Sequence, residues 1–104
     1  MTLPVVDTAQ FAQLLSQNKK LVVKFSAKWC QPCKAYAPTV QAVAEQNPTI
    51  AFVEVDLDAS PELAAQWRVR SIPATIGFKD GSLAFQASGA LTRGALEQHL
   101  KTLT

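Results

Sequence analysis

Both cysteines of the 104-residue chain stand in one stretch, Trp29, Cys30, Gln31, Pro32, Cys33, with Lys28 and Lys34 on either side. Two thiols separated by two residues are close enough to close a small disulfide ring or to share a metal. A structural zinc site takes about four nitrogen, sulfur or carboxylate ligands. Beyond the pair the chain offers His99, with no second histidine at ligand spacing. Metal binding within one chain is therefore disfavoured, and a metal shared between two chains is what remains of that reading. Burial of the cysteines as small apolar side chains is disfavoured by Lys28, Gln31 and Lys34, which suggest a surface. A close cysteine pair beside a strand-helix-strand pattern, in a chain without other cysteines, reads instead as a dithiol that exchanges with disulfides.

The elements that must position this dithiol follow from the patterning on either side of it. Residues 21–26 are β-branched and aromatic, and their near-continuous apolar character suits a central strand covered on both faces; Lys24 is the misfit. After the cysteines a helical pattern runs to about Gln46, with Pro38 inside it removing one hydrogen bond, so a kink is expected near Ala35 to Pro38. Residues 50–57 form the second clear strand, and the helix between is long enough for a right-handed parallel crossover. Ahead of these, Val5 and Val6 suggest a short edge strand. Asp7 with Gln10 three positions on makes a capping-box pattern, and Phe11, Leu14 and Leu15 share one face of the helix that follows. Ser60 before Pro61 opens a short helix to about Trp67. A third strand over 74–79, the hairpin signal Asp80-Gly81 and a returning strand over 82–88 come next. Thr92 then caps a closing helix whose inner face carries Leu96, His99, Leu100 and Leu103. The expected architecture is α/β: a mixed central sheet of four to five strands flanked by about four helices, in one domain over 1–104.

Bulk properties narrow the function further. A composition 48% hydrophobic and 17% charged excludes wholesale disorder. The formal charge of +2 comes from scattered lysines and arginines without a basic run, so no nucleic-acid partner is expected. No stretch approaches the roughly eighteen apolar residues of a membrane span, and the first residues lack the features of a secretory signal. With both cysteines in one close motif there is no secreted-type disulfide framework, and a reducing cytoplasm is the expected setting.

Taken together, residues 22–34 with Pro38, Val55-Asp56, residues 69–75, residues 78–81 and residues 89–91 resemble the thioredoxin family, over nearly the whole chain. The resemblance implies a thioredoxin fold and a protein-disulfide reductase whose redox group is its own Cys30–Cys33 disulfide, with no other cofactor. Cys30 precedes the helix, where unsatisfied N–H groups and the positive dipole end favour a thiolate, so Cys30 is the expected nucleophile and Cys33 the resolving thiol. The resemblance further implies a cis bond between Ile72 and Pro73, facing the cysteines, with the Ile72 backbone free to pair with an extended substrate. Trp29, Gln31, Pro32, Ile72, Pro73 and Ala90 are the expected substrate-binding set, and Trp67 and Val69 are expected to extend an apolar docking patch. Protein disulfides are the implied substrates and an NADPH-dependent thioredoxin reductase the implied electron donor; a monomer is expected. No Gly-rich phosphate loop is present to bind a nucleotide in this chain.

Two departures from the family pattern bear on mechanism. The strand before the motif usually carries a buried aspartate where this chain has Lys24, and the next strand usually carries a lysine where it has Glu54. The pair is expected to meet beneath Cys33 with reversed polarity, Glu54 taking the acid–base role and Lys24 keeping it ionised; the alternative is that both point to solvent. Gln31 stands where glycine is usual, which alters the backbone around the thiolate and hence the redox poise. Competing functions are a thiol oxidase or isomerase, which needs a more oxidising dithiol, and a redox-gated binding module using the same surface.

Overall fold

The computed structural model describes residues 3–104. The helices are α1 (Thr8–Gln17), α2 (Gln31–Glu45), α3 (Pro61–Gln66) and α4 (Arg93–Leu100). The strands are β1 (Lys20–Ser26), β2 (Ala51–Asp56), β3 (Ala74–Lys79) and β4 (Ser82–Ser88). They form one sheet in the order β2-β1-β3-β4. β1 and β2 are parallel, joined by the α2 crossover, while β3 runs antiparallel to both β1 and β4.

β1 is buried along nearly its whole length because it is central and covered on both faces. Its odd-numbered residues Leu21, Val23 and Phe25 pack with Phe11 and Leu63, the side of α1 and α3. Val22 packs with Tyr36, Val40 and Leu96, the side of α2 and α4. Two apolar layers thus sandwich the sheet, and strand alternation decides which layer each side chain enters.

The local signals explain the boundaries. Asp7 accepts from the Gln10 N–H while the Gln10 side chain accepts from the Asp7 N–H, closing both sides of the capping box. α2 continues through Pro38 without a break. Asp80 and Gly81 adopt φ of 51° and 81°, the left-handed pair that a tight hairpin requires. Ser60 takes the N-cap position of α3, but its buried side chain makes no capping bond.

The expected fifth strand at Val5 and Val6 is reduced to a single parallel bridge to Glu54. The Pro4 carbonyl accepts from Glu54 N–H at 2.9 Å and the Val6 N–H donates to Glu54 O at 2.9 Å. Pro4 has no N–H of its own to donate, so this strip cannot carry a ladder past that point.

Candidate active site

Cys30 is the N-cap residue of α2 and Cys33 lies in its first turn. The two are joined as a disulfide with their Cα atoms 5.3 Å apart. The Cys33 N–H points at Cys30 Sγ across 3.2 Å, so one of the orphan donors of the helix end is aimed at the sulfur expected to carry negative charge. Cys30 is 4% and Cys33 1% exposed, so both are more deeply set than the flanking Lys28, Gln31 and Lys34 suggested. Gln31 and Pro32 between them are exposed and start the helix, with Pro32 where a missing N–H costs nothing.

The wall opposite comes from far along the chain. The Ile72–Pro73 bond is cis, and Cys30 Sγ lies 3.9 Å from the Ile72 carbonyl oxygen. The Gly89 N–H donates to the Pro73 carbonyl at 2.8 Å, tying the end of β4 to this corner. A groove of about 300 Å³ runs past it, lined by Trp29, Leu57, Val69, Arg70, Ser71 and Ile72. Ala90 is exposed beyond Gly89 and is not among these lining residues. Trp29 is held by its own hydrogen bond to Asp58, a residue that sequence patterning did not single out.

Trp67 is half-buried and does not line this groove. Its ring packs edge-on against Phe78 at 4.9 Å and Phe11 at 6.2 Å, inside the layer under α1 and α3. A large aromatic at the end of a short helix gains more from that pocket than from a surface, even with its indole N–H unpartnered. Val69, two residues on, does reach the groove. Between them Arg68 adopts φ of 56°. Its N–H donates to Ala65 and the Val69 N–H to Ala64, the paired bonds of a left-handed helix end.

Beneath Cys33 the structure brings Lys24 and Glu54 together. They are register partners across β1 and β2. Lys24 is 2% exposed and its Nζ donates to the Cys33 carbonyl at 3.2 Å and to Glu54 Oε1 at 3.5 Å. Glu54 keeps 28% of its side chain in solvent. The Lys24 ammonium also lies 5.9 Å from the centre of the Tyr36 ring. Tyr36 shares a 2.7 Å hydrogen bond with Thr75, which is the register partner of Lys24 on β3. Burial pushes the Tyr36 phenol above its ordinary 10.0, and the Thr75 hydrogen bond opposes that in part. The polar row Glu54, Lys24, Thr75 therefore crosses three strands under the cysteine-bearing helix, and its Tyr36–Thr75 end carried no signal in the sequence.

A disulfide capped by a helix N-terminus, with the carbonyl before a cis-proline 3.9 Å from Cys30 Sγ and an open groove alongside, defines a thiol–disulfide oxidoreductase site. The family model for thioredoxin matches residues 2–102. The thioredoxin of Mycoplasmoides gallisepticum is 40% identical over 97 residues, covering 93% of this chain and 97% of that one. The bifunctional thioredoxin reductase/thioredoxin of Mycobacterium leprae is 39% identical over 101 residues, covering 96% of this chain and 22% of that protein. The crystal structure of oxidised mitochondrial thioredoxin 3 from Saccharomyces cerevisiae superposes with a TM-score of 0.90 at 35% identity, covering 97% of this chain and 95% of that one. The chain belongs to the thioredoxin family and works by dithiol–disulfide exchange.

Proposed function

We propose that this protein reduces protein disulfides, with Cys30 as the attacking thiol and Cys33 as the resolving thiol. The observation that carries the assignment of roles is the Cys33 N–H directed at Cys30 Sγ from the helix end. It favours negative charge on Cys30 and leaves Cys33 beneath it to close the ring. The Cys30 thiolate attacks one sulfur of a target disulfide and the other leaves as a thiolate. Cys33 then gives up its proton and attacks Cys30 Sγ, breaking the mixed disulfide and releasing the second target thiolate. Two electrons and two protons pass from the dithiol to the target.

The target lies in the groove past Trp29 and Ile72 as an extended segment, pairing with the Ile72 backbone next to Pro73, with Gln31, Pro32 and Ala90 at the rim. Lys24 and Glu54 serve the resolving step as a pair, the half-exposed Glu54 carboxylate relaying the Cys33 proton to solvent. The Cys30–Cys33 disulfide is the redox group, without a further cofactor. An NADPH-dependent thioredoxin reductase restores the dithiol, a reading supported by the relative that carries reductase and thioredoxin in one polypeptide. The protein acts as a monomer in the cytoplasm, apart from nucleic acid and membrane.

The test is reduction of insulin disulfides with and without such a reductase. Turnover that needs the reductase and NADPH is expected, and chemical pre-reduction should support a single turnover. Absence of reduction in both arms and after chemical pre-reduction sinks the reductase function and leaves the groove as a binding surface.

A further inference from the structure

We propose that Lys24 is a positioning residue for the resolving step: its buried ammonium holds the Cys33 main chain and stabilises the Cys33 thiolate. This rests on the assignment of Cys33 as the resolving thiol and moves the main electrostatic contribution from Glu54 to Lys24.

The first observation is that the ammonium is fully provided for. It has three N–H donors, and around it stand the Cys33 carbonyl, the Glu54 carboxylate and the Tyr36 ring face. A buried lysine sheds its proton when burial leaves the charge uncompensated. Here the ammonium meets the Cys33 carbonyl and the Glu54 carboxylate, with the Tyr36 ring 5.9 Å away, so its burial is compensated.

The second observation is the order of the charges around Cys33. Lys24 binds the carbonyl of Cys33 itself, whereas Glu54 binds Lys24 and keeps 28% of its side chain in water, which screens it. A cavity of about 570 Å³ lies on this side of Cys33, lined also by Lys28, Lys34 and Asp56. Asp56 Oδ1 accepts the Asp58 N–H at 2.9 Å, so that carboxylate is engaged with its own loop. Tyr36, pushed up by burial, is neutral through the working range. Cys30 is in disulfide linkage to the target at the moment Cys33 must ionise and carries no charge then. Three lysines and two carboxylates line the cavity that Cys33 also lines, and the best-buried charge of the set is a cation.

A cation held 3.2 Å from the Cys33 carbonyl, on the cavity that Cys33 also lines, favours the Cys33 thiolate. Cys33 then loses its proton, relayed to solvent by the Glu54 carboxylate that lines the same cavity, and the thiolate attacks Cys30 Sγ as the Cys30–target bond breaks. Stabilising a thiolate stabilises the reduced protein, so the same cation makes the dithiol more oxidising at pH values where Cys33 is ionised.

The test isolates Cys33 in the Cys30→Ser protein and follows its thiolate by ultraviolet absorbance against pH. Lys24→Met is expected to make Cys33 about tenfold less acidic, Lys24→Arg to stay near the parent, and Glu54→Gln to shift acidity the opposite way from Lys24→Met. In the two-cysteine protein, at pH above the Cys33 breaks of both parent and variant, the midpoint potential of Lys24→Met is expected to be lower by about 30 mV, the equivalent of tenfold for two electrons. A Cys33 titration unmoved or lowered in Lys24→Met overturns the proposal. Should that variant not fold, the nitrogen chemical shift of Lys24 Nζ in the parent decides. An ammonium that senses Cys33 ionisation supports the proposal, and a neutral amine, or an ammonium blind to it, overturns it. Failure of Cys33→Ser to trap a target on Cys30 refutes the resolving assignment, independently of how Lys24 moves the titration.

Discussion

The Trp29 indole N–H donates to the Asp58 carboxylate across 2.9 Å, while 64% of Trp29 remains exposed. A ring this open gains little from burial, so the hydrogen bond is what fixes its orientation beside Cys30. Asp58→Ala frees it at a net cost of about 0.5–1.5 kcal/mol. The expected outcome is a KM for a protein disulfide raised about threefold to tenfold, with kcat nearly unchanged, read by steady-state kinetics. An unchanged KM would mean that the indole orientation does not matter to the target.

Cys33→Ser should hold a target as a stable mixed disulfide on Cys30, and Cys30→Ser should hold none. Non-reducing electrophoresis and mass spectrometry of the trapped adduct read the difference. A stable adduct on Cys33 would reverse the roles derived from the helix end.

Gly77 lies under the Phe85 ring, and a Cβ built there would overlap it. The ring cannot swing aside, because it stacks on His99 with centroids 4.9 Å apart. Gly77→Ala should therefore destabilise by about 1–3 kcal/mol, lowering Tm by roughly 4–8 °C per kcal/mol for a domain of this size. A Tm within error of the parent would mean that β4 yields at no cost.

Arg68 closes α3 in the left-handed region, where a side chain costs about 1–2 kcal/mol. Arg68→Gly relieves that and returns about 0.5–1 kcal/mol as added freedom of the unfolded chain. A net gain of roughly 0.5–1 kcal/mol is expected from urea titration. Loss of stability would show that the Arg68 side chain makes a contribution of its own.

Tyr36 adds an alkaline limit. Its phenol is held above 10.0 in the folded protein, so the neutral form is favoured by folding. That contribution is complete below the unfolded value and is lost as pH rises through the folded one. Stability should fall on the alkaline side beyond 10.0, and Tyr36→Phe should flatten the fall while weakening the protein near neutrality by leaving Thr75 unpaired. Identical alkaline slopes in the two proteins would remove Tyr36 as its source.

Much of the molecule was legible because its signals are local. The bounds of β3 and β4 follow from apolar runs on either side of Asp80-Gly81, and the start of α1 follows from Asp7 and Gln10. The pairing of Lys24 with Glu54 was legible through the family resemblance: each stands where the family usually carries the opposite charge, and a buried lone lysine needs a partner. Asp58 and the Tyr36–Thr75 bond were not legible, since the partners stand 29 and 39 residues apart and none is out of place in its own segment. The packing of Trp67 on Phe11 and Phe78 was not legible, because an aromatic after a short helix fits a groove or a core equally well until the positions of those two rings are known. Val5 and Val6 have strand propensity, but one bridge is all that Pro4 lets them form.

The placement of Lys24 also bears on how the chain finds its fold. β1 is apolar on both faces, so its hydrophobic pattern alone scarcely distinguishes the native pairing from one shifted by a residue. Such a slip would turn every β1 side chain to the opposite layer. Leu21, Val23 and Phe25 would exchange one oily environment for another, at modest cost. Lys24 would be driven among Phe11, Leu63 and Phe78, with neither the Cys33 carbonyl nor the Glu54 carboxylate in reach. One ammonium thus acts as the index mark of the central strand, making misaligned sheets expensive where greasy residues would have been indifferent.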